Sequence, residues 1–74
     1  MRIYHVERDL EDKEFFFIVV NNDPNVCQKV FYDVNSAWKH AGRLAKRYAH
    51  RHCMDVKYTK HPEHKCSAYI VEGE

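Results

Sequence analysis

The sequence predicts an α+β domain, an antiparallel sheet of about five strands in the order β-β-β-α-β-β with one amphipathic helix packed on one face. Three observations carry this. Residues 36–52 hold apolar side chains at three- and four-residue spacing, which is the period of one helical face. The segments before and after them alternate with period two and are rich in β-branched and aromatic residues. Turn-forming clusters such as Asn21-Asn22-Asp23-Pro24-Asn25 separate those segments. At 74 residues the chain forms one domain, 1–74.

The elements follow in order. Residues 2–8 alternate and form the first strand, and Asp9-Leu10-Glu11-Asp12-Lys13 is a charged turn. Glu14 to Val20 is the strongest strand signal, and Val26 to Asp33 is the third strand. The helical face then carries Ala37, Trp38, Ala41, Leu44, Ala45, Tyr48, Ala49 and His52. Asn35 or Ser36 is expected to supply the N-cap oxygen. Gly42 is expected to cost this helix up to about 1 kcal/mol relative to alanine. Met54 to Thr59 is the fourth strand, His61-Pro62-Glu63-His64 a tight turn, and Cys66 to Val71 the fifth strand.

Alanines at 37, 41, 45 and 49 recur at every fourth residue, so the helix axis can approach the sheet closely, with Trp38, Leu44 and Tyr48 filling the flanks. One helix covers one face of the sheet only. The second strand is apolar on both faces, with Phe15, Phe17 and Val19 on one and Phe16, Ile18 and Val20 on the other. A strand of that kind expects cover on both sides. Phe16, Ile18 and Val20, joined by Phe31, are therefore expected to form a protein-binding or dimer face.

The matching segments Tyr4-His5-Val6, Phe17-Ile18-Val19, Val30-Phe31-Tyr32-Asp33 running into Ala37, then Ala41, Ala45 and the hairpin from Val56 to Tyr69 give a second handle. Their order resembles that of a family of small bacterial proteins that open with a Tyr-His-Val strand and place an alanine-rich helix before a closing hairpin. The resemblance covers most of the chain. It implies the β-β-β-α-β-β fold and no function. The Phe15–Val20 run is heavier than in that pattern, and Pro62 stands where Asp-Gly is expected.

Net charge is +1, unevenly spread. Residues 1–34 carry four basic and seven acidic side chains, a net of −3, whereas residues 35–74 carry eight and four, a net of +4. No acid lies between Ser36 and Met54. Lys39, Arg43, Lys46 and His50 follow a helical stripe, and Arg47 and Arg51 widen it. A stripe of this kind can neutralise phosphates, which is the sequence-independent part of nucleic-acid binding. A solvated helix face is the alternative for the same residues.

Several function classes are disfavoured. No apolar run approaches the roughly 18 residues of a membrane span. Charged residues stand where a signal peptide has its apolar core, so a cytoplasmic setting is expected. Three cysteines, an odd number, argue against a disulfide framework, and buried free thiols are expected. His50-x-His52-Cys53 and His61-x-x-His64-x-Cys66 fit no common zinc spacing, and no metal or cofactor is expected. The two glycines, Gly42 and Gly73, cannot build a phosphate-cradling loop, and Ser36 and Ser67 sit on no nucleophile elbow. The expected function is a non-catalytic protein-binding module, dimeric, acting as a small regulator or inhibitor of the kind phages direct at host machinery. The alternative is nucleic-acid binding through the basic helix 39–51.

Overall fold

The computed structural model of the protein describes residues 1–59 and 67–73. Strands β1 (Arg2–Arg8), β2 (Phe16–Val20) and β3 (Val30–Phe31) precede helix α1 (Val34–Arg51), and β4 (Asp55–Thr59) and β5 (Ala68–Glu72) follow it. The strands form one sheet in the order β3-β2-β1-β5-β4, antiparallel at every pairing. This is the α+β fold that the periodicities predict. The helix leaves one edge strand, β3, and delivers the chain to the opposite edge, β4. It therefore lies across the sheet and packs against all five strands.

The alanine ridge does what its spacing suggests. Ala37, Ala41 and Ala45 are 0% exposed, and Ala49 is buried beside them. Beneath them lie Tyr4 of β1, Ile18 and Val20 of β2, Phe31 of β3 and Val71 of β5. Leu44 and Tyr48 pack against this core from the flanks. Trp38 joins an aromatic cluster with Tyr58 and Tyr69, its ring centroid 6.2 and 6.0 Å from theirs. Gly42 belongs to the same ridge, because an alanine Cβ there would come within 2.9 Å of the Tyr69 ring. The helix thus gives up propensity at Gly42 to seat Tyr69.

The register corrects one expectation. Tyr4 pairs with Val20 and Tyr69, and Val6 with Ile18, so these residues share a face, and it is the face beneath α1. Ile18, Val20, Phe31 and the half-buried Phe16 are therefore helix-facing, not an uncovered binding surface. Both faces of β2 are apolar, so alternation alone could not decide between them. The uncovered face carries Phe15, Phe17 and Val19 instead. Across the strands these meet Val30, which is opposite Phe17, and His5, which is opposite Val19.

Local chemistry sets the remaining boundaries. Asn21 and Asn22 both have positive φ, 52° and 65°, and Val20 and Asp23 exchange two backbone hydrogen bonds. That is the two-residue turn whose twist suits a hairpin. The Asn21 side chain ties it to β1 by accepting from the Ile3 N–H at 2.8 Å. The chain then runs unpaired to Val30, so the third strand has two residues rather than the eight expected. Asp33 is the N-cap, in place of Asn35 or Ser36, and its carboxylate accepts from the Ser36 N–H and hydroxyl at 3.1 and 3.0 Å. These bonds hold the Asp33 carboxyl below the usual carboxylate range.

The helix ends in a tight double-bonded cap. The Met54 N–H donates to the Ala49 carbonyl and the Cys53 N–H to the His50 carbonyl, with Cys53 at φ 53°. This is the Schellman arrangement, whose left-handed position favours glycine. The turn expected at His61–His64 and residue Cys66 lie outside the described residues.

Two stability predictions follow from this geometry. Gly42→Ala should lower the melting temperature in the native chain yet raise it in a Tyr69→Ala background. The double-mutant cycle should show a coupling of about 1 kcal/mol. An equal effect in both backgrounds would mean that Tyr69 does not dictate the glycine. Cys53→Gly should stabilise the domain by about 1 kcal/mol in denaturant unfolding, by relieving a left-handed residue that carries a Cβ.

Candidate nucleic-acid interface

The basic residues of α1 take their places from the buried ridge. With alanines 37, 41, 45 and 49 against the sheet, the opposite side of the helix faces solvent. Lys39, Arg43, Lys46, Arg47, His50 and Arg51 are all exposed. Among the described residues the one close approach of a basic and an acidic side chain is elsewhere, His5 and Glu7 at 3.8 Å on β1. Within those residues no carboxylate lies within ion-pair distance of a helix cation, and only the Asp33 cap acts on one, Lys39, at longer range.

The aspartates of the N-terminal half are occupied locally. Asp9 Oδ1 accepts from the Glu11 and Asp12 N–H groups at 2.8 and 3.1 Å, and Asp12 Oδ1 from the Glu14 N–H. They hold the β1–β2 turn together. The charge asymmetry in the sequence therefore becomes two separate features, an acid-stabilised turn and a basic helix face.

The structure adds two cations that the helical spacing could not supply. Lys29, just before β3, lies by Ser36, Lys39, His40 and Arg43 at the start of the helix. Its Nζ sits 5.5 Å from the Phe31 ring centroid. Arg2 of β1 lies beside Arg47 and Arg51 at the other end. Both come from parts of the chain that read as acidic overall, which is why the spacing alone misses them. For Arg2 a signal exists, since it is two residues from the buried Tyr4 and so shares its face.

His40 reports the field these groups create. Its ring lies 5.3 Å from that of Phe31. Burial first, and then the charges of Lys29, Arg43 and Arg47, push its pKa below the ordinary imidazole range. The uncharged form is thus the one the fold accommodates.

Other candidates do not assemble. Among the described residues no group of three or more His, Cys, Asp or Glu side chains is placed to hold a metal ion. His52 stacks on Tyr48 at 4.3 Å between ring centroids, and Cys53 beside it is exposed in the cap. The expectation of a buried thiol therefore fails at Cys53, because the cap turns it outward. Cys27 is half-buried, and the cluster His61, His64 and Cys66 lies outside the described residues. The Ser36 hydroxyl donates to Asp33 within the N-cap. No described helix is long and apolar enough to cross a membrane.

Compared with protein-family models, curated proteins and solved structures, the chain matches none.

The electrostatics give a direct test. The His40 imidazole should titrate below about 6.5 in NMR, and Arg43→Gln with Arg47→Gln should raise its pKa without fully restoring it, since burial remains. By linkage, the stability tied to neutral His40 is complete above the unfolded pKa. It is lost as pH falls through that value toward the folded one. An unchanged pKa in the double variant would show that the helix charges do not converge on His40.

Proposed function

We propose that this protein is a non-catalytic binding module that engages the phosphate backbone of a nucleic acid through the outward face of α1. One observation carries the reading. Lys39, Arg43, Lys46, Arg47 and Arg51 are exposed along one helix, without a carboxylate partner among the described residues. Charged side chains of one sign held on a rigid element raise the local concentration of a polyanion. Each phosphate they neutralise releases condensed counterions, and that release supplies the affinity. Lys29 extends the surface past the helix start, which lengthens the footprint. The proposed setting is the cytoplasm, where the exposed Cys53 thiol would stay reduced.

A second reading, a protein-binding or dimer surface, rests on the uncovered side of the sheet. There Val30 is 52% and Tyr32 75% exposed, beside half-buried Phe15 and Phe17, and the Phe15 and Tyr32 rings meet edge to face at 4.8 Å. The occupant in that reading is a second copy or a protein to be regulated. It ranks second because Val19, at the centre of the same face, is only 2% exposed. The apolar area on offer is therefore a patch at the β3 edge, not a whole face.

Fluorescence anisotropy with labelled single-stranded RNA, single-stranded DNA and duplex DNA separates the readings. Binding should weaken on the order of a hundredfold between 50 and 200 mM salt if four phosphates of a duplex are neutralised. Replacing Arg43, Lys46 and Arg47 by Glu should abolish binding while the melting curve stays that of a folded domain. Binding that survives the reversal, or none at low salt, would remove the helix as the interface and bring the β3-edge patch forward.

A further inference from the structure

At the C-terminal end of the basic helix the surface is not flat. A cleft of about 250 Å³ opens between α1 and the loop at Val26 and Cys27. Buried Tyr4 and Val20 line it, together with Leu44 and Tyr48 of the helix. Three arginines from two elements border it, Arg2 of β1 and Arg47 and Arg51 of α1. Like charges gathered around one cleft repel one another, and an anion between them would offset that repulsion.

Arg2 is also oriented. Its Nε–H donates to the Tyr4 hydroxyl at 2.7 Å, and its guanidinium lies 4.4 Å from the Tyr48 ring centroid and 5.5 Å from that of Tyr4. The ring contacts and the Nε bond hold the group in place, and that bond leaves the two terminal amino groups for another acceptor. A fixed guanidinium fork matches the oxygens of phosphate. Arg47 and Arg51 stand one helical turn apart on the opposite wall, free of carboxylates among the described residues.

We propose that this cleft binds a phosphate monoester at the end of a nucleic-acid strand, with Arg2, Arg47 and Arg51 as its cationic partners. Two features choose a monoester over an internal diester. Three guanidinium groups exceed the single charge of a diester and suit the roughly −1.5 to −2 charge of a monoester at neutral pH. The volume lies below the about 300–1,000 Å³ of sites that enclose a drug-sized ligand, so the cleft takes up one end group, not a longer segment. The sugar or base next to the phosphate would lie on the apolar lining of Val26 and Leu44. The proposal rests on the helix reading above and adds a preference that the helix stripe alone would not produce.

The test compares two otherwise identical labelled single strands, one with a 5′-phosphate and one with a 5′-hydroxyl, in the presence and absence of a nucleoside 5′-monophosphate. The phosphorylated strand should bind about tenfold more tightly, the effect of one added charge-assisted contact. Arg2→Gln should erase that preference, so that within the variant the phosphorylated and hydroxyl strands bind alike. NMR of the native protein gives a readout that needs no variant. The Arg2 Nε–H resonance should shift with the phosphorylated strand and stay in place with the hydroxyl strand. If the monophosphate alone binds as tightly as the phosphorylated strand, the site takes phosphate monoesters but its source is a free nucleotide, and the strand-end assignment is overturned. Equal binding of the two strands, with Arg2 unmoved, overturns the cleft while leaving the helix interface in place. No binding of either strand overturns both.

Discussion

The fold depends on how closely one helix can approach one sheet. A chain of this size buries only about 60% of the surface its unfolded form exposes, so each buried contact counts for more than in a larger domain. The alanines at 37, 41, 45 and 49 and the glycine at 42 bring the α1 backbone down onto β1, β2 and β5. With so little side-chain volume on the helix, most of the core must come from the strands. Ile18, Val20 and Val71 are the large side chains that vanish completely from solvent. Among the aromatic residues Tyr4 and Phe31 join that core, while Trp38, Tyr58 and Tyr69 close one side and Tyr48 the other. The ring of Tyr69 against Gly42 shows how little clearance remains.

That constraint also determines where charge can go. A ridge of small residues occupies a narrow sector of the helix, and everything else on α1 is rim or solvent. No acid punctuates the solvent side between Ser36 and Met54. The positive surface is therefore continuous by composition and rigid by packing. Several of the acids elsewhere, Asp9, Asp12, Asp23 and Asp33, are drawn into turns and a cap. A domain with a net charge of +1 can thus present a strongly basic face without being a basic protein.

Much of this was legible from spacing. The first strand, the helix, its alanine ridge and the positive stripe all follow from period two or period 3.6. Parity on β2 was not legible. Phe15 to Val20 is apolar at every position, so alternation predicts two apolar faces and is silent about which one the helix covers. Pairing with β1 decides it, through the Tyr4–Val20 and Val6–Ile18 positions. The N-cap was misplaced for a related reason, because Asp33 reads equally well as the end of a strand. Val26 to Lys29 carry strand-like residues, yet they follow a tight asparagine turn and leave the sheet, where Val26 and Cys27 become one wall of the cleft. Cys53 was expected as a buried thiol and is instead the exposed, left-handed position of a helix cap, normally a place for glycine.

The cleft illustrates why a candidate site can escape a sequence reading while every part of it is visible. Arg47 and Arg51 are neighbours by helical geometry, and their spacing announces them. Arg2 stands 45 positions away in an acidic segment, and nothing local links it to them. Two long-range facts do. Tyr4 is buried beneath α1, and period two puts Arg2 on the same face of β1, opposite Val71. The helix then crosses from the β3 edge to the β4 edge, which carries its C-terminal turns over that end of the central strand. An arginine at the rim of a buried strand cannot stay in the core, so it reaches out along Tyr48 until its head meets solvent. The same packing that excludes charge from the ridge therefore gathers three guanidinium groups at its border, and a border of that kind is where a small domain without a deep interior can still hold a ligand.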